Sequence, residues 1–163
     1  MKLQGKTLQG PKPVECKIHR EDEDFIFTCG PVLNFDEFLK LCPEPKPPLK
    51  TIVGQGKIQV TDDPRYLLKV EAHNELRIAY MMVRSISFTP GLEWSLVKLD
   101  NPDTWLKYKE ELQNVLTQAE FNKLISAVFE ANNPTEKKRK EALENFTSTE
   151  ENPQDTTSQT QEQ

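Results

Sequence analysis

Three cysteines and one histidine in the first 42 residues are the side chains that could hold a metal ion. Cys16 and His19 form a Cys-x2-His pair, and Cys29 and Cys42 follow at gaps of nine and twelve residues. Those gaps match no common zinc knuckle. On a strand, the spacing of Cys16 and His19 would direct their side chains to opposite faces. Reduced, partly buried thiols are therefore the preferred interpretation, and a structural zinc site stays an alternative.

Other charged or polar clusters have the composition of solvated surface. The acidic run at residues 21–24 lacks the glycine and the spaced acceptors of a calcium loop, so a solvated turn is favoured. The basic run at residues 137–140 is followed by Glu141 and Glu144, which favours salt-bridged helix surface over a nucleic-acid patch. His73 has no second ligand or nucleophile four residues on, so we expect it on a polar helix face.

Catalytic motifs are absent from the sequence. It contains no hydrolase elbow, phosphate loop, GxGxxG, HExxH or carboxylate pair in an apolar setting. We therefore expect a protein that is not an enzyme and that needs no cofactor.

Composition limits the class of protein. The chain has 163 residues, 36% of them hydrophobic, and a net charge of −5, which suits one domain with a modest core. The last 17 residues carry four of the 26 acids and no base, which leaves 22 acids against 21 bases in the rest. No window approaches the ~20 apolar residues of a membrane span, and no signal peptide opens the chain. We expect neither a membrane protein nor a nucleic-acid binder.

The first 60 residues favour β-hairpins. After an extended arm over residues 1–13, apolar residues alternate with polar ones over residues 14–19 and again over 25–29, on either side of the acidic turn. Asn34 is expected to start a short helix that ends at Cys42. Four prolines at residues 43–48 then predict a stiff polyproline II linker, with a PxxP ligand as the alternative. Residues 49–60 are consistent with a second hairpin or a strand and loop.

A long helix should follow from Asp63 and Pro64 to about Ser87. Its second half is apolar on most sides and must therefore be covered. A core helix wrapped by later helices is the main interpretation, and an adaptable partner groove at Tyr80, Met81 and Met82 is the alternative.

Residues 89–146 predict three shorter helices. Asn101 before Pro102 can cap the first, and Thr117 with Glu120 forms a capping box for the second. A third is expected from Thr135 to Phe146. Trp94 and Trp105 should pin the intervening loop onto the long helix. The second of these helices carries an apolar stripe at helical spacing: Phe121, Leu124, Ile125, Val128 and Phe129.

The order of several short segments resembles one protein family. They are FDEFLKLCPEPKPP at residues 35–48, TPGLEW at 89–94, DNPDTW at 100–105, TQAEFNKLISAVFEANN at 117–133 and KKRKEALENF at 137–146. Together they are similar to the tail assembly chaperones that tailed bacteriophages encode beside the tape-measure gene. The resemblance covers about residues 1–146.

The resemblance implies a non-enzymatic chaperone for the helical tape-measure protein. It further implies the tail-tube protein as a possible second partner, a location in the host cytoplasm, and absence from the finished virion. The nearly neutral charge of the body is in addition compatible with self-association. A structural virion component and a host-directed binding module are the alternatives. Partner-binding candidates come from the two most apolar helices, although some must build the core: Tyr80, Met81, Met82, Phe121, Leu124, Val128 and Phe129.

The predicted fold class is α+β. A small β-hairpin region covers residues 1–60, including the proline linker at 43–48. A mainly helical region with one long and three shorter helices covers 61–146, and a disordered acidic and polar tail covers 147–163.

Overall fold

The computed structural model describes residues 2–3, 6–7, 10–21, 23–54 and 56–132. They belong to one compact unit, Met1–Asn132. The expected helix from Thr135 to Phe146 and the expected disordered tail at 147–163 lie outside the described residues.

The amino-terminal third is made of short antiparallel strands. Strands β1 (Lys2–Leu3) and β2 (Lys6–Thr7) pair with each other. Strands β3 (Val14–His19) and β4 (Asp24–Cys29) form the predicted hairpin, with Val14 opposite Cys29 and His19 opposite Asp24. Alternation along β3 buries Cys16 and Ile18, each 2% exposed. The predicted hairpin is thereby confirmed, although Phe25 on β4 is 50% exposed.

Helix α1 (Asp36–Leu41) begins later than the sequence suggests. The residue at its N-cap is Phe35, which makes no side-chain cap, so the expectation that Asn34 starts the helix is wrong. Packing decides the start instead, because the Phe35 ring lies 6.2 Å from the ring of Phe38 and 5.9 Å from that of Tyr80. Tertiary contact has overridden a local capping preference here.

A second hairpin confirms the expectation for residues 49–60. Strands β5 (Leu49–Ile52) and β6 (Gly56–Gln59) pair antiparallel, and Gly54 has a φ of 84° in the turn between them. The left-handed region that this φ occupies suits glycine. Residues 43–48 before the hairpin are neither helix nor strand.

The long helix α2 (Pro64–Ile86) starts as predicted. The Asp63 carboxylate accepts hydrogen bonds from the backbone N–H groups of Arg65 at 2.9 Å and Tyr66 at 3.1 Å. Its carboxyl-terminal half is the core helix that the sequence suggests, and its buried residues are Ala79, Tyr80, Met82, Val83, Ser85 and Ile86. Its first half carries exposed apolar side chains, including Leu67 and Leu68.

Three short helices complete the described chain. Helix α3 (Pro102–Trp105) is capped by Asn101 as predicted, and a turn at residues 106–107 separates it from α4 (Tyr108–Gln113). Helix α5 (Gln118–Asn132) opens with the predicted capping box. In that box the Glu120 carboxylate accepts from the Thr117 N–H at 2.8 Å, and the Glu120 N–H donates to the Thr117 hydroxyl at 3.4 Å.

An aromatic cluster forms the centre of the core. The fully buried Trp105 ring lies 5.0 Å from the Tyr80 ring and 6.0 Å from the Phe38 ring. The expectation that His73 lies on a polar helix face is wrong. Its ring lies 5.0 Å from the Phe38 ring, and its Nε2 is 3.1 Å from the Cys42 carbonyl oxygen. An imidazole with one polar partner can pack at the margin of such a cluster.

The two tryptophans hold the intervening loop as predicted. The Trp105 Nε1–H donates to the carbonyl oxygens of Lys98 at 3.1 Å and Leu99 at 3.2 Å. The Trp94 Nε1–H donates to the Ser87 hydroxyl at 2.9 Å, which ties the loop to the end of α2. Buried indoles need such partners for the ring N–H.

The β3–β4 hairpin packs against α5 and α2, so the fold is α+β. The Arg20 guanidinium contacts the Glu120 carboxylate at 3.0 Å, and the Lys123 ammonium donates to the Lys17 carbonyl at 2.6 Å. Within the described ranges, none of the helices combines the length and the hydropathy that a bilayer crossing requires.

Candidate functional site

The seven predicted partner-binding residues divide between core and surface. Four are buried at 3% exposure or less: Tyr80, Met82, Leu124 and Val128. Met81 and Phe121 are half-buried against that core, and Phe129 is 41% exposed. Met82, which the sequence offers as a partner-binding candidate, is therefore a core residue.

Apolar periodicity does not distinguish a core face from a partner-binding face, which explains this division. A stripe at helical spacing marks the face that is removed from water, whether the cover is another helix of the same chain or a partner. In α2 and α5 that cover is largely the protein itself. Phe129 is the predicted residue that stays open to solvent as a candidate contact.

An open groove of about 520 Å³ lies between the loop at residues 31–34 and the end of α2. Leu33 and Phe88 at this groove are 77% and 51% exposed. We call this site the loop–helix groove. It is lined by Pro31, Val32, Leu33, Asn34, Tyr80, Arg84, Ser87, Phe88 and Leu99.

Hydrogen bonds fix one wall of the loop–helix groove. The Gly30 N–H donates to the Ser85 carbonyl at 2.9 Å, and the buried Ser85 hydroxyl donates to the Gly30 carbonyl at 2.7 Å. The Val32 N–H donates to the Asn132 side-chain oxygen at 2.7 Å, and the Asn132 amide nitrogen is 3.3 Å from the Ser85 hydroxyl. Since α2, α5 and the loop share this network, the wall is preformed.

Close contact of Phe88 with Gly30 shapes the same wall. A Cβ placed on Gly30 would lie 2.2 Å from the nearest Phe88 ring carbon. The phenyl ring therefore packs directly on the glycine backbone, in space that any other residue would occupy. Although this contact orients the ring, half of Phe88 remains open to solvent.

Arg84 is the charged member of the nine lining residues. Its Nη2 pairs with the Glu37 carboxylate, and its Nε donates to the Tyr80 hydroxyl at 3.3 Å. The Tyr80 hydroxyl donates to Glu37 at 3.2 Å, and burial raises the pKa of Tyr80. These bonds hold the guanidinium in place without activating a nucleophile.

The lining of the loop–helix groove is mainly apolar. Histidine, cysteine and aspartate are absent from the nine lining residues. The Ser87 hydroxyl is committed, because it donates to the Val83 carbonyl at 2.6 Å and accepts from Trp94. Apolar walls with a few fixed polar groups are typical of a site that recognises an apolar partner.

The cysteines show the chemistry of buried thiols. Burial, followed by the nearby Cys16, raises the pKa of Cys29 to about 12, and burial raises the pKa of Cys16 and of Cys42. His19 lies on the exposed face of β3 and contacts Asp24 at 2.8 Å, away from the buried Cys16. In the part of the chain that the structure describes, no three His, Cys, Asp or Glu side chains are grouped as metal ligands would be.

Sequence analysis missed Leu33, Phe88 and Gly30, because they lie outside regular elements where no periodicity marks them. The available signal was indirect. Leu33 and Phe88 are large apolar residues that lie close to a proline, and no predicted helix or strand places either of them, or Gly30, in the core. Comparisons of the chain with protein-family models, with curated proteins and with solved structures each gave no match.

Proposed function

We propose that this protein is a non-enzymatic tail assembly chaperone that binds the helical tape-measure protein of a tailed bacteriophage and keeps it in solution. The resemblance of residues 35–48 and 89–146 to that family is one support. The observation that carries the proposal is the loop–helix groove. A preformed apolar groove can bury one face of an amphipathic helix without catalysing a reaction.

The client lies against the exposed apolar side chains at the groove. Leu33 and Phe88 make the central contacts, because they are the most exposed of its apolar lining residues. Phe129, which is 41% exposed on α5 and does not line the groove, is a further candidate contact. Burying these side chains would contribute on the order of 1–3 kcal/mol each.

The protein acts in the cytoplasm of the infected host, with the tail-tube protein as a possible second partner, and is absent from finished virions. Mass spectrometry of purified virions tests this placement. Many copies per particle would instead identify a structural virion component, which is the alternative function.

Co-expression of the full-length chain with the tape-measure protein tests the binding function. The wild-type chain should raise the soluble yield of the tape-measure protein and co-purify with it. Leu33→Glu should reduce the co-purified amount at least ~10-fold, because it places a charge in the apolar contact. A tape-measure protein that stays equally insoluble with and without the chain would overturn the proposal.

Leu68→Glu is the matched control. Leu68 is 65% exposed on the first half of α2 and does not line the groove, so this variant should bind as the wild type does. An equal loss in both variants would show that the introduced charge, rather than the groove, governs binding.

A further inference from the structure

The protein covers the edges of one hairpin with its own groups. On β4, the Thr28 N–H donates to the Thr89 hydroxyl at 2.9 Å, and that hydroxyl is 3.3 Å from the Thr28 carbonyl oxygen. On β3, the Lys17 carbonyl accepts from the Lys123 ammonium at 2.6 Å. Capping of this kind blocks the edge of a sheet against further strands.

In the part of the chain that the structure describes, the edge of β5 has no such cover. The Val60 N–H donates to the Pro48 carbonyl at 2.8 Å. This bond determines which residue pairs of the β5–β6 ladder are hydrogen-bonded to each other and which are not. Lys50 and Ile52 therefore bond across to β6, whereas the N–H and C=O groups of Leu49 and Thr51 point away from it. Within the described residues, no group hydrogen-bonds to those of Leu49 and Thr51.

Two exposed apolar side chains, Leu49 and Val53, lie along this edge on either side of Thr51. Leu49 is 61% exposed, Val53 in the adjoining turn is 99% exposed, and Thr51 lies between them. A two-stranded hairpin without further cover is marginal in water, and a third or fourth strand stabilises it. The edge of β5 therefore has both the open backbone groups and the side chains of a pairing strand.

We propose that β5 pairs antiparallel with β5 of a second copy of this chain, about a two-fold axis at Thr51, which gives a four-stranded sheet. Each Thr51 N–H donates to the Thr51 carbonyl of the other copy. Leu49 of one copy lies beside Val53 of the other, so the two most exposed apolar residues of this hairpin cover each other. Lys50 opposes Ile52 of the other copy, so the two ammonium groups are not directly opposed.

A second copy is the occupant because the edge is complementary to itself in this register. A two-fold rotation about Thr51 places the apolar residue before it, Leu49, beside the apolar residue after it, Val53, of the other copy. Every copy presents this same edge. Two-fold dimers with such self-complementary interfaces are the commonest protein assemblies. The inference does not depend on the proposed chaperone function.

A pair of proline variants tests the inference in the full-length chain. Thr51→Pro removes an N–H that makes no bond within the hairpin, at an edge position that tolerates proline. Lys57→Pro makes the same change on the outward side of β6. Size-exclusion chromatography with light scattering over a dilution series should show a wild-type dimer that dissociates on dilution.

The two variants should then differ. Thr51→Pro should raise the dimer dissociation constant at least ~10-fold, because two symmetry-related hydrogen bonds are lost, while Lys57→Pro should match the wild type. A wild-type monomer at every concentration, or equal weakening by both prolines, would overturn the proposal.

Hydrogen exchange of the wild type decides the matter if a proline variant does not fold. The Thr51 amide should be protected at high concentration and lose that protection on dilution, while the Lys57 amide exchanges fast throughout. Equal exchange at both amides contradicts the dimer. Protection of Thr51 that appears only with added tape-measure protein would assign the edge to that partner and also overturn the proposal.

Discussion

Gly30→Ala should destabilise the protein through a single neighbour, the Phe88 ring. A Cβ on Gly30 would lie 2.2, 2.3 and 2.4 Å from three carbons of that ring, and these are the three nearest atoms. Real Cβ atoms essentially never come within 3.0 Å of a neighbour. Gly30 is not among the glycines with positive φ, so alanine introduces no backbone strain there. The cost must therefore come from displacing the ring.

The size of the effect follows from how far the ring can move. Overpacking costs about 1–3 kcal/mol. Phe88 is 51% exposed, so complete expulsion of its ring would lose roughly 100 Å² of burial, or about 2.5 kcal/mol. We expect Gly30→Ala to cost about 1–2.5 kcal/mol. In a Phe88→Ala background the clash is absent, and the same change should stabilise by about 0.4–1 kcal/mol through the unfolded chain.

Urea denaturation of the four proteins in this cycle measures the coupling. We expect an interaction energy of about 1.5–3.5 kcal/mol between positions 30 and 88 from the unfolding free energies of the wild type, the two single variants and the double variant. If Gly30→Ala costs the same amount with and without the Phe88 ring, the ring is not the cause and the description of this groove wall fails.

Three further outcomes follow from buried or paired groups. Ser85→Ala should cost about 1–3 kcal/mol in urea unfolding, because it leaves a buried carbonyl without its donor, whereas the exposed Ser126→Ala should stay within ~0.5 kcal/mol; equal costs would contradict this role. The backbone N–H of Thr117, more than any other group, lowers the pKa of Glu120, so its stabilisation is present above the pKa of the unfolded state and is lost as pH falls through the folded pKa. The melting temperature of Glu120→Gln should therefore lie below that of the wild type near neutral pH and converge with it in acid; a gap that persists in acid would refute this. Because burial raises the pKa of Cys29 to about 12, iodoacetamide at pH 8 should leave this thiol unmodified in the folded protein and modify it in urea, as peptide mass spectrometry can check; rapid modification of the folded protein would contradict its burial.

Local sequence signals were enough to place most helices and strands. Asp63 with Pro64, Asn101 with Pro102, and the Thr117 capping box each mark a helix start that depends on neighbouring residues alone. Alternation of polar and apolar residues likewise placed the β3–β4 hairpin. These features succeed because the interactions that decide them lie within a few residues.

Features decided by tertiary contact could not be predicted in this way. The ring of His73 packs on Phe38, and α1 begins beyond Asn34, because of residues distant in the chain. Separation of α3 from α4 accompanies the packing of Trp105, whose ring N–H bonds back to the preceding loop. The loop–helix groove combines residues 31–34, 80–88 and 99, which only the fold brings together.

Contacts between the β3–β4 hairpin and α5 also set an order of events during synthesis. Arg20 meets Glu120 across 100 residues, and Lys17 meets Lys123 across 106. A ribosome that adds roughly 5–20 residues per second needs about 5–20 s to make that intervening stretch. During this interval Cys16 and Ile18 on the apolar face of the hairpin are not covered by α5. Translation that stops before α5 would release a chain in which Cys16 and Ile18 lack the helix that covers them, which exposes this segment to aggregation and proteolysis.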